Sequence, residues 1–292
     1  MKKRNKLTAL SGCTLLILLL GASSCSNNDS VTQNESKAIS IKAFTEASSR
    51  LDYTEATGLT VTWNANDAFS LYRGTSNQTP TKFILSDGAG TKSGTFNGTL
   101  PSGSSTSLLA FYPSSTADTS PTSITKNIAS QTGGTLSTLS NYDYMTTSTT
   151  YSESTVPSFT FSHRMAIIRF DITLPSTSVT GTSIALSATS GLYTTGVFNL
   201  STDGLIISTN GTITVTGGST SSKVYTVYAV VYPSTINGLS MTITTSDSKT
   251  YTKNFTTTSI TLSAAQRYKV AYTIPAGNGG SVGDIGDGGS LN

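Results

Sequence analysis

Between residues 38 and 274 apolar side chains recur at every second position in short runs, and over no long stretch at every third and fourth. A period of two places successive side chains on opposite faces of an extended chain, so the pattern specifies half-buried strands and excludes a helical body. The runs are Ile39-Ser40-Ile41-Lys42-Ala43, Leu59-Thr60-Val61-Thr62-Trp63, Thr212-Ile213-Thr214-Val215-Thr216, Lys223-Val224-Tyr225-Thr226-Val227-Tyr228, Leu239-Ser240-Met241-Thr242-Ile243-Thr244 and Tyr268 to Ile274. In the longest, Ala166 to Leu174, the residues Ile168, Phe170, Ile172 and Leu174 share one face. Thr, Val, Ile and Tyr are dense throughout, and such side chains fit a pleated surface. Asn97-Gly98, Asn210-Gly211 and Asn237-Gly238 read as tight turns, since both residue types tolerate positive φ. Short strands at this spacing predict an all-β chain built as β-sandwiches. Periodicity is weakest between 140 and 156, which sets an expected boundary between an N-terminal domain over 37–156 and a C-terminal one over 157–276. The glycine-rich end, 277–292, lacks the apolar density of a stable strand and reads as a tail.

The front of the chain is of another kind. Lys2, Lys3, Arg4 and Lys6 precede the apolar core Leu15-Leu16-Ile17-Leu18-Leu19-Leu20. That core is short of the roughly 20 apolar residues a spanning helix needs, and it matches an export signal. Ala22, Ser23 and Ser24 suit a peptidase pocket, and Cys25 follows directly. This resembles a bacterial lipobox with Ala22 where leucine is commonest. It predicts removal of 1–24, acylation of Cys25 on sulfur and nitrogen, and 25–36 as a polar tether. Each buried methylene contributes about 0.8 kcal/mol, so several acyl chains anchor a domain firmly. An ordinary secretory signal with an incidental cysteine is the other reading. Ser26 after the cysteine, by resemblance to Gram-negative sorting, points to the outer membrane. Losing the four basic leader residues takes the formal charge from +3 to −1. The basicity thus belongs to the leader and implies no nucleic-acid partner. Cys13 leaves with the signal and Cys25 goes to lipid, so the mature body has no disulfide.

Candidate chemistry is sparse. His163 is the only histidine, with no nucleophile motif around it and no second histidine or cysteine to share a metal, so it reads as structural. Asp67, close to the only tryptophan, Trp63, reads as closing a turn on backbone N–H groups while Trp63 fills core; a sugar contact is the sharper alternative. Asp203-Gly204 and the pair Asp284 and Asp287 lack the dense ligand set of a calcium loop and read as turns. The expectation is a protein without catalytic residues, metal or cofactor.

Several stretches in order resemble the fimbrillin-like lipoproteins of Bacteroidales, subunits of type V pili. They are the lipobox, AISIKAF, TVTWNANDAFSLY, LLAFYP, YDYMTTS, FTFSHRMAIIRFDI, YAVVYPSTINGLSMTITTSDSKTY and AAQRYKVAYTI. The resemblance implies two transthyretin-like β-sandwich domains in tandem, displayed on the outer membrane by lipid and then in a fimbrium. It implies partners that are other pilus subunits, and a host glycan or protein as a further partner. It also implies that an arginine-specific protease removes the leader and the first strand, leaving a groove that accepts a neighbour's strand. Arg50, in Ala47-Ser48-Ser49-Arg50-Leu51-Asp52, is the candidate cut site, and an uncleaved surface arginine is the alternative. The displaced strand is then the one carrying Ile39 and Ile41. Tip, anchor, stalk and accessory positions stay open, as does a standalone surface lipoprotein that binds glycan or host protein.

Overall fold

The computed structural model describes residues 37–45, 61–255 and 259–275. Cys25, Arg50, the signal, the tether, and Asp284 and Asp287 in the tail lie outside the described residues. What is described is all-β. The first half holds β1 (Ala38–Thr45), β2 (Ala68–Arg73), β3 (Thr81–Asp87), β4 (Ser93–Thr99) and β5 (Ser107–Tyr112). Then come β6 (Ile124–Asn127), β7 (Ser130–Gly133), a 3₁₀ turn over Leu136–Asn141, β8 (Met145–Thr150) and β9 (Ser158–His163). The second half holds β10 (Ala166–Thr173), β11 (Gly181–Ser187), β12 (Tyr193–Asn199), β13 (Gly204–Asn210), β14 (Ile213–Gly217) and β15 (Ser219–Ser221). It ends with β16 (Val224–Val231), β17 (Ser234–Asn237), β18 (Ser240–Thr245), β19 (Thr250–Asn254), β20 (Ser259–Leu262) and β21 (Arg267–Thr273).

The strands β1-β4-β3-β2-β5-β8-β9 form one sheet that closes on itself, with β1 as the closing stave. The second half forms sheets in the orders β15-β16-β10-β21 and β19-β18-β11-β14-β7, with β13-β12-β6 and the pair β17-β20 beside them. β10 shows why its alternation reads so clearly: Ile168, Phe170, Ile172 and Leu174 are all buried on one face.

Two apolar cores meet at β2 and β5. Leu108, Ala110 and Tyr112 point into the closed sheet, while Leu109 and Phe111 belong to the second core. A strand buried on both faces reads as a continuous apolar run, and SLLAFY is such a run. Phe111 packs on Tyr144 and Phe198, with ring centroids 5.7 and 5.3 Å away. The segment between β5 and β8 crosses over as well: β6 pairs antiparallel with β12 and β7 parallel with β14. Gln131, buried on β7, holds Val230 of β16 at both backbone groups: Nε2 donates to its C=O at 2.6 Å and Oε1 accepts from its N–H at 2.9 Å. Position 156 lies between β8 and β9, neighbours in the same closed sheet, so no change of sheet occurs there.

Three local expectations differ from the structure. Asn97-Gly98 is not a turn but lies inside β4, where Gly98 is required because a Cβ would come within 2.7 Å of the Phe83 ring. Asn237-Gly238 does turn, with Gly238 at φ 61°. Val61 to Trp63 is buried yet belongs to no strand; Trp63 exchanges backbone bonds with the turn at Gly90 and Thr91 instead. The weakly periodic stretch contains β8, MTTSTT, a full member of the closed sheet. Its only buried side chains are Met145 and the small polar Thr146, on opposite faces, so hydrophobicity does not mark it.

Candidate strand-exchange site

β1 is held on both sides. Seven residues, Ala38 to Phe44, pair antiparallel with Thr99 to Ser93 of β4. On its other side only the second half is paired, Lys42 to Thr45 running parallel with Ser158 to Phe161 of β9. The first half instead borders a cleft of about 330 Å³ lined by Lys37, Ile39 and Ser40 and by Tyr151 to Pro157.

The inward face of β1 carries Ile39, Ile41, Ala43 and Thr45, of which Ile41 and Ala43 are fully buried and Ile39 packs partly against the core. The outward Ser40, Lys42 and Phe44 are exposed. The strand predicted to be displaced therefore lies over an apolar trough. Its floor is aromatic: Trp63 makes edge contacts with Phe96, Phe161 and Tyr112 at 4.9, 5.8 and 5.9 Å. Ala43 pairs with Gly94, whose own Cβ would meet the Trp63 ring at 2.9 Å, so small residues at both positions leave room for the indole. The Trp63 Nε1–H donates to the Ala43 carbonyl at 3.3 Å, which ties the backbone of β1 to this floor.

Trp63 is itself fixed by the turn that follows. Asp67 Oδ2 accepts from the Asn64 N–H at 2.6 Å and Oδ1 accepts from the Tyr112 hydroxyl at 3.0 Å, with Asn66 at φ 72°. Burial pushes the Asp67 carboxyl up to about 6, against the pull of those two hydrogen bonds. Burial, and then the Asp67 charge, hold the Tyr112 hydroxyl well above its ordinary value. The bond to the Asn64 N–H is the turn closure expected of Asp67, and Trp63 is fully buried in the core.

His163 closes β9 and is buried, its Nδ1 2.6 Å from Asp143 Oδ2. Asp143 lies 20 residues away, and no spacing in the sequence marks it. Asp203, at φ 52° between β12 and β13, binds Arg164 (Oδ2 to Nη1, 2.9 Å) and accepts from the Thr146 hydroxyl at 3.0 Å. It serves as a turn that ties the two halves together.

A family model described as fimbrillin-like matches residues 54–286, starting beyond β1. A solved structure described as that of a candidate cell adhesion protein from Bacteroides ovatus is similar over 82% of this chain and 92% of its own, at 18% identity and a TM-score of 0.54. A second of the same description, from Bacteroides uniformis, covers 81% and 92% at 17% identity and a TM-score of 0.53. These two likenesses show the shared fold. Among curated proteins, none matches this chain.

Proposed function

The chain belongs to the fimbrillin-like family, and from that premise we propose that it is a structural and adhesive subunit of a cell-surface type V pilus. In this reading it is exported as a lipoprotein, acylated at Cys25 and held on the outer membrane. It is built as two transthyretin-like β-sandwich domains in tandem. Cleavage after Arg50 frees β1, and a neighbouring subunit's strand takes the place of Ile39 and Ile41. The observation that carries this is the seat of β1: a single strand between β4 and β9, above an aromatic trough. Removing it strips two strand edges and an apolar floor at once, and an added strand satisfies both. Fimbrial and adhesion proteins of this kind are assembly components, not enzymes, and no residue here is assigned to catalysis.

N-terminal sequencing of subunits extracted from fibres tests the maturation step. Leu51 as the first residue is the expected result, and fibres whose subunits all begin at Cys25 would overturn cleavage. The alternative is a standalone surface lipoprotein binding glycan or host protein. Electron microscopy after treatment with an arginine-specific protease separates the two, since only the pilus reading gives polymers.

A further inference from the structure

We propose that a polar cleft at one end of the closed sheet binds an acidic sugar, with the Arg73 guanidinium pairing its carboxylate. The cleft, about 710 Å³, is enclosed by the β2–β3 and β4–β5 connections, and its size falls in the range of small-molecule sites, roughly 300–1,000 Å³. Its lining departs from that of an apolar pocket: serine and threonine hydroxyls and two amides surround it, and Arg73 is the only ionisable side chain among them. A wall of this kind offers many donors and acceptors to a polyhydroxylated ring and one cation to an anion.

Arg73 is positioned in advance. Its Nε donates to the Ser105 carbonyl at 2.7 Å, and its guanidinium lies over the Tyr151 ring, 5.3 Å from the centroid. No carboxylate pairs with it among the described residues, and its terminal nitrogens make no hydrogen bond there, so the bidentate edge is available. A planar fork of this type matches a carboxylate geometrically. The facing loop is fixed too. Gln78 accepts from the Arg73 N–H at 3.2 Å and donates to the carbonyls of Arg73 and Ser76 at 3.0 and 3.1 Å. Gly74, at φ 80°, bonds the Ser107 carbonyl. Walls held by their own backbone bonds lose little freedom when a ligand arrives, which favours binding. A single cation argues against an anionic membrane surface, where clusters of basic residues supply the attraction.

The site does not depend on β1 being exchanged, so its failure leaves the pilus reading intact. The test is calorimetric titration of the full chain with sialyllactose and, in parallel, with lactose, inorganic phosphate and phosphatidylglycerol vesicles. Sialyllactose binding at least tenfold tighter than each of the others, and weakening with added salt, is the expected result. Arg73→Gln lowers that affinity tenfold or more. Because Arg73 also packs on Tyr151, a second variant is needed: Ser104→Glu, on the exposed rim, leaves that packing intact and repels the anion, with a similar loss expected. Equal affinity for lactose, phosphate or vesicles would overturn the proposal. So would no binding of sialyllactose at about 10 mM, weaker than the millimolar class, or a folded Ser104→Glu chain that binds within twofold of the parent.

Discussion

Replacing Ile41 by alanine tests whether β1 is a separable stave. Ile41 is fully buried beside Phe96 in the register, and truncating a buried isoleucine costs about 2–4 kcal/mol. With Ala43 and the partly buried Ile39, the apolar burial of the whole strand amounts to about 3–6 kcal/mol. That is a large share of the roughly 5–15 kcal/mol that holds a domain together, yet less than all of it. β1 should therefore open in a local event that leaves the second core closed. Amide exchange followed by mass spectrometry on the full chain reads such events one segment at a time. In the Ile41→Ala chain, amides of β4 and β9 that face β1 should exchange about 30- to 700-fold faster, the rate equivalent of that cost. Amides of β10 and β16 should keep the parent rate. Lys42→Ala, one position along but exposed, should change protection by about twofold at most. If Ile41→Ala accelerates β10 as much as β4, β1 leaves only when the whole molecule unfolds. Strand replacement would then have no folded acceptor.

Other substitutions probe what surrounds the seat. Asp67 holds its proton to about pH 6 when folded against an ordinary value of 3.8, so the folded state binds more protons across that window and stability falls as pH rises from about 4 to 6. The loss is up to about 3 kcal/mol; urea midpoints at several pH values should show this slope in the parent and lose most of it in Asp67→Asn. Gln131→Leu leaves the Val230 N–H and C=O without their side-chain partners, at about 2–4 kcal/mol; an unchanged urea midpoint would refute the role given to this amide. Gly98→Val drives a side chain into the Phe83 ring from the strand position paired with Ile39. It should cost about 1–3 kcal/mol in thermal unfolding, and a gain in melting temperature would contradict the packing described.

How much of this was legible in the sequence depended on whether a strand has one buried face or two. β10, β14, β18 and β21 bury one face, and their alternation marks them directly. β5 is buried on both faces because two cores share it, and its apolar run carries no period to read. β8 fails for the opposite reason, since threonine serves both its buried and exposed positions. Glycine misled in one place: Asn97-Gly98 has turn chemistry, but the chain needs Gly98 for its lack of a side chain beside Phe83. Of the candidate site, β1 and its inward Ile41 followed from alternation alone. The Trp63 bond to Ala43, the Asp143 partner of His163 and the cleft around Arg73 did not. Each joins residues about 20 to 30 apart with one partner outside every strand, a tertiary contact that local pattern does not encode.

The seat also defines the strand that can fill it. Going along β1, two isoleucines two residues apart precede alanine at the third inward position, and Gly94 with Trp63 leaves little space for anything larger there. The antiparallel side offers seven paired residues and the parallel side four, and parallel pairing is slightly weaker per residue. An occupant therefore depends mainly on β4 for its ladder and on the aromatic floor for its side chains, and it loosens first along β9. A replacement needs the same period of two, bulky-x-bulky-x-small, with a free carbonyl opposite the Trp63 indole. In this chain's own last segment, Val282 and Ile285 are three residues apart and Leu291 six further on. Odd spacing puts the first two on opposite faces of any extended strand, so that segment cannot present two adjacent inward anchors. Within the pilus reading, the seat of β1 is the acceptor half of an exchange, and residues 277–292 do not match the occupant that such a seat selects.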